Sequence, residues 1–133
     1  MIGLDTNILI RYIVQDDAAQ AAAASALIEN ECSSENPGWV DCVVLCELVW
    51  VLESAYGYTR ATVVEVLRTL LTSAELRVET PDMAWSAVRS YQNTGAGFAD
   101  CLIGLRNRQA GCAMTATFDK RAARMETHRL LKV

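Results

Sequence analysis

The chain has 133 residues, a formal net charge of −4 and a composition that is 52% hydrophobic and 21% charged, which is globular and excludes long disorder. No apolar run nears the roughly 20 residues needed to span a bilayer, and the apolar start lacks a basic leader and meets Asp5 too early for a signal peptide. The expected compartment is the cytoplasm. Five cysteines (Cys32, Cys42, Cys46, Cys101, Cys112) form no CxxC pair, and His128 is the single histidine, so there is no zinc constellation. Cys42, Cys46, Cys101 and Cys112 lie in apolar stretches and are expected as buried, reduced thiols. His128, in a polar tail, is expected at the surface. The charge is unevenly spread: seven basic residues against two acids lie between Arg106 and Val133. Such asymmetry accompanies polyanion binding as well as plain solvated faces.

In chain order, Met1-Ile2-Gly3-Leu4 is a short apolar run that stops at Asp5, as a strand buried on both faces would. Ile8 to Val14 and Asp16 to Glu31 read as helices, with Asp16 or Asp17 capping the second and a break from Cys32 to Gly38. Trp39-Val40 is a second strand, and Asp41 caps the apolar helix Cys42 to Tyr56, which stops at Gly57. Thr59 opens a helix to about Ser73. Leu76 to Glu79 is a third strand, and Pro81 suits the first turn of a helix ending before Gly95. After the loop Gly95-Ala96-Gly97, Phe98 to Gln109 is helical and closed by Gly111. Ala113 to Ala116 is a strand, Asp119 to Met125 a short helical piece, and Arg129 to Val133 an edge strand. Strands alternating with helices predict one α/β domain over residues 1–133, with a parallel five-stranded sheet flanked by helices on both faces.

Four acids occupy positions that folding alone does not require. Asp5 ends the first strand, where open α/β sheets place ligands, although capping the next helix is an equal use for it. Glu47 has Val43, Val44, Trp50 and Val51 as its helical neighbours and no Lys or Arg within a turn, which predicts a costly unpaired carboxylate on an apolar face. Asp100 opens the Phe98 helix, where it also suits the helix dipole, and it shares a face with Gly104, whose small size leaves room for a ligand. Asp119 runs off a strand into a helical turn, as Asp5 does. Carboxylates gathered at the carboxyl edge of a parallel sheet repel one another, and a hard divalent cation such as Mg²⁺ or Mn²⁺ relieves this. Two such ions about 4 Å apart can activate water and stabilise the leaving oxygen of a phosphodiester.

Asp5-Thr6-Asn7, Leu45-Cys46-Glu47-Leu48-Val49-Trp50-Val51-Leu52, Phe98-Ala99-Asp100 and Thr117-Phe118-Asp119 together resemble the PIN-domain ribonucleases, and among them the VapC toxins of bacterial type II toxin–antitoxin systems. The likeness spans nearly the whole chain. It implies a metal-dependent endoribonuclease with Asp5, Glu47, Asp100 and Asp119 as its catalytic acids, Asp5 and Asp100 being the firmest metal ligands. Thr6 and Thr117 would be supporting hydroxyls. The further acid that some members carry two residues after the last one is Arg121 here. The resemblance also implies Mg²⁺ or Mn²⁺, an RNA substrate, a homodimer and a cognate antitoxin. Arg106, Arg108, Lys120, Arg121 and Arg124 are the candidates to hold the RNA backbone. Phe98 and Phe118, both near acids, are expected mainly in the core, with base stacking as the alternative.

Two other classes compete. A phosphohydrolase of the aspartate-nucleophile type usually needs an acid where Asn7 stands, and a phospho-accepting receiver domain needs a lysine near the acids, as Lys120 is. A catalytically silent PIN-like RNA- or protein-binding module would not need all four acids.

Overall fold

Side-chain caps set where most of the helices begin. Asp5 leaves β1 (Ile2–Gly3) in an extended conformation, with φ −77° and ψ 160°, and its carboxylate accepts the Thr6 N–H, so α1 (Thr6–Val14) starts two residues before the apolar periodicity does. Asp17 accepts the Gln20 N–H to open α2 (Ala18–Ala26), Asp41 accepts the Val44 N–H at α3 (Cys42–Ser54), and Thr59 accepts the Thr62 N–H at α4 (Arg60–Thr72). The last turn after α2, Leu27–Glu31, is wound as a π-helix. Asp16, the neighbouring candidate cap, instead pairs with Arg11 at 2.7 Å and accepts the Tyr56 hydroxyl at 2.8 Å. The second carboxylate at the start of α3 is Glu79, which accepts the Cys42 N–H at 2.9 Å.

The computed structural model describes all 133 residues, which divide into two compact units, Met1–Pro81 and Asp82–Val133. The first unit holds β1, β2 (Gly38–Val40) and β3 (Leu76–Val78) in a parallel sheet of order β1-β2-β3, with Ile2 opposite Gly38 and Trp39 opposite Arg77. Its core is the fully buried set Leu9, Ile28, Val40, Leu45, Leu48, Leu52, Val63 and Leu67. In the second unit are most of α5 (Pro81–Thr94), α6 (Phe98–Gln109), β4 (Thr115–Thr117), a 3₁₀ turn at Ala122–Arg124 and β5 (His128–Leu130). Tyr91 and Phe98 meet edge to face in its core, with ring centroids 5.9 Å apart. β4 and β5 are parallel, with Thr115 opposite His128.

The α/β class, six helices and parallel pairing agree with expectation, but the five strands form a three-stranded and a two-stranded sheet rather than one continuous sheet. The strands themselves explain this. β1 has two residues, both exposed, so its outer edge carries too short a ladder, and β4 is the polar Thr-Ala-Thr, which gains little from being sandwiched. No helix is long and apolar enough to cross a membrane. No disulfide forms; Cys32, Cys42 and Cys101 are buried and Cys46 half-buried, whereas Cys112, expected inside, is exposed just beyond the turn at Gly111.

Candidate functional site

Thr6 is the hinge of the site in the first unit. The residue is buried, its N–H donates to Asp5 Oδ1 at 2.8 Å and its hydroxyl donates to Glu47 Oε1 at 3.0 Å. Two carboxylates, from the start of α1 and the second turn of α3, are thereby held by one residue, Asp5 through its backbone N–H and Glu47 through its hydroxyl. Neither forms an ion pair, and one oxygen of each has no protein partner. The expected burial of Glu47 does not hold. α3 turns Leu45, Leu48, Val49 and Leu52 inward, and Glu47 lies exposed on the other side, between Val43 and Trp50, each 68% exposed. A helix that is apolar nearly all round does not tell from its sequence which face is inward.

In the second unit, Asp100 stands in the first turn of α6, whose N-terminus at Gly97 has no side-chain cap. Its carboxylate is half-buried and accepts no hydrogen bond, and a Cβ added to Gly97 would lie 3.4 Å from its Oδ2. Asp119 is held firmly. Thr117 Oγ1 accepts the Asp119 N–H at 3.0 Å, and Asp119 Oδ1 accepts the N–H groups of Ala122 at 3.0 Å and Arg121 at 2.8 Å. These backbone donors, with Arg121 charge behind them, hold the Asp119 carboxyl below the usual aspartate range. Arg121, standing where a fifth acid would be, thus supports the fourth.

The space expected over Gly104 is filled from within. A Cβ there would meet His128 Cε1 and Thr127 Oγ1, both at 2.6 Å, so the glycine admits β5 and not a ligand. His128, expected at the surface, is buried against it, with Nδ1 2.8 Å from Thr127 Oγ1. Phe98 is in the core as expected, but Phe118 is 67% exposed beside Asp119.

The basic candidates all belong to the second unit. Arg106 and Arg108 end α6, and Lys120, Arg121 and Arg124 are exposed around the 3₁₀ turn. Arg108 and Arg124 border a common cavity, while Lys120 and Arg121 do not. In neither unit do three or more His, Cys, Asp or Glu side chains converge on one point. Two groups escaped the sequence reading. Glu79 sits at a strand end like Asp5, but its use as a distant helix cap leaves no local signal. The Thr6–Glu47 bond, 41 residues apart in the chain, has none either.

A family model described as PIN domain matches residues 2–127. A VapC ribonuclease of Aquifex aeolicus (strain VF5) is 25% identical over 118 residues, 89% of this chain and 87% of that protein. No solved structure matches the chain.

Proposed function

This chain belongs to the PIN-domain family, and from that premise we propose that it is a metal-dependent endoribonuclease toxin, acting in the cytoplasm on single-stranded or loop RNA and neutralised by a cognate antitoxin. The observation that carries the reading is Thr6 joining Asp5 to Glu47, because it fixes two carboxylates in place without neutralising either. The family model spans residues of both units, which supports treating residues 1–133 as one functional domain. The similarity to a VapC ribonuclease over most of both chains supports the RNA substrate.

The residues present fit Mg²⁺ or Mn²⁺. All the candidate donors are hard oxygens, and Asp100 is a half-buried carboxylate with no protein donor on it, which leaves its lone pairs to a cation. Asp5 and Asp100 would be the principal ligands, with Glu47 and Asp119 completing the set. When bound, the cation supplies Lewis acidity toward water and the scissile phosphate. Glu47, restrained by Thr6, orients the attacking water and takes its proton; Asp119, kept ionised by its backbone donors, holds its negative charge in place through the reaction. Arg106, Arg108, Lys120, Arg121 and Arg124 offset backbone charge, and exposed Phe118 offers a stacking face to an unpaired base. Val43 and Trp50, both exposed on the Glu47 side of α3, are the candidate surface for the homodimer that the family resemblance implies.

The test is incubation of the purified protein with total cellular RNA, with Mg²⁺, with Mn²⁺ and with a chelator. Cleavage with either cation and none with the chelator is expected. Cleavage that survives chelation overturns the metal-carboxylate mechanism, and no cleavage under any condition favours a silent binding module.

A further inference from the structure

A cavity of about 400 Å³ lies wholly within the second unit, among α5, α6 and the chain leading into β5. Its volume falls within the range of small-molecule sites, roughly 300–1,000 Å³. Leu105 from α6 and Met125 give it an apolar side. Arg108, one turn beyond Leu105 on α6, and Arg124 bring two guanidinium groups to the same space, and Ser90 on α5 adds a hydroxyl. The Arg124 guanidinium has no partner in the protein, and the Ser90 hydroxyl makes no hydrogen bond. Arg108 reaches Glu126 at 3.5 Å, well beyond the about 2.7–2.9 Å of a strong charge-assisted bond, and the Glu126 side chain is 88% exposed. That carboxylate is weakly held and solvated already, so it leaves the guanidinium at small cost.

We propose that this cavity binds the phosphate of a nucleotide, with Arg108, Arg124 and the Ser90 hydroxyl as donors and Leu105 and Met125 giving apolar contact to the sugar or base. Arginine suits this because its planar fork meets two phosphate oxygens at once. Glu126 acts as an internal placeholder that an incoming phosphate displaces. The phosphate belongs either to an RNA backbone, in which case the pocket rests on the ribonuclease reading and extends its substrate track, or to a free mononucleotide, in which case it stands without that reading.

The experiment uses the full chain in chelator, so that no cation at the acidic residues contributes. AMP is titrated by amide NMR, and a short single-stranded RNA by fluorescence anisotropy. AMP is expected to move the amide signals of Ser90, Arg124 and Glu126. Arg124→Ala weakens AMP binding about tenfold, as loss of one charge-assisted donor pair does, and Glu126→Gln tightens it. Arg68→Ala in α4 changes nothing. AMP affinity unaltered in both Arg108→Ala and Arg124→Ala overturns the proposal, as does an AMP response confined to other residues. RNA affinity falling in Arg124→Ala, with a salt slope smaller by about one, assigns the phosphate to RNA. Loss of AMP binding with RNA affinity unchanged assigns it to a mononucleotide. Absence of RNA cleavage by the wild type with Mg²⁺ removes the ribonuclease reading and leaves the AMP result standing, so the two failures are read apart.

Discussion

Asp5 in the first unit and Asp119 in the second both end a strand and open a helical turn, but the protein secures them differently. Asp5 accepts one backbone N–H and borders Thr6, whose hydroxyl also holds Glu47. Asp119 accepts two backbone N–H groups on one oxygen and titrates low because of them, while Asp100, in the same unit, accepts none. Each unit thus offers one tethered acid at a strand end and one acid of a different kind: Glu47, linked through a side chain, and Asp100, linked to nothing. Backbone donors fix position and satisfy charge. A carboxylate without them keeps its lone pairs for a cation.

The largest effect expected from this difference is at Asp100. Asp100→Asn lowers RNA cleavage by roughly 10²–10⁴-fold, as loss of an essential carboxylate does, while the metal-free thermal midpoint changes little. Single-turnover kinetics with calorimetry on the same samples checks both halves, and a large fall in midpoint would show that Asp100 holds the fold rather than a cation. Thr6→Val comes next. It cuts the tie to Glu47 and costs about 10–100-fold in cleavage, the usual loss when an outer hydrogen bond to a ligand goes, and Thr6→Ser restores most of it. Gly104→Ala is a control on the packing of the second unit. Its Cβ meets His128 and Thr127 at 2.6 Å, so stability falls by about 1–3 kcal/mol in denaturant titration, with cleavage per folded molecule unchanged.

The smallest effect is on pH dependence. A carboxyl held below its unfolded value gives its full stabilisation above that value and loses it as pH falls through the folded one. For Asp119 the loss therefore lies on the acid side of the ordinary aspartate range, about 3.9. The amide shifts of Arg121 and Ala122 should titrate together with a midpoint below that range, and Asp119→Asn should abolish the step. A midpoint at or above the ordinary value would mean that the backbone donors do not hold the carboxylate in solution.

Much of this was legible in the sequence, because caps and breakers act locally. Asp17, Asp41 and Thr59 cap the helices they precede, and the positive φ of 65° at Gly57 follows the end of α3. All four acids could be picked out as unusual from their places in the chain. What could not be read depends on contacts across the chain. The inward face of α3 is chosen by packing, so the exposure of Glu47 and Trp50 was hidden in a helix with apolar residues on every side. His128 is buried because Gly104, 24 residues earlier, leaves the space for it, and no local pattern in a polar tail announces that. The division of the strands between two sheets likewise follows from a β1 only two residues long.

Under the proposed ribonuclease function Asp5 and Asp100 serve one reaction, and a double-mutant cycle on RNA cleavage tests this most directly. Asp5→Asn, Asp100→Asn and the double variant are compared with wild type at saturating Mg²⁺. If the two carboxylates act as a unit, the double variant is scarcely slower than either single one, because the first substitution already removes what the second could take away. Losses that multiply, with the double variant slower by the product of the two single effects, would contradict the account.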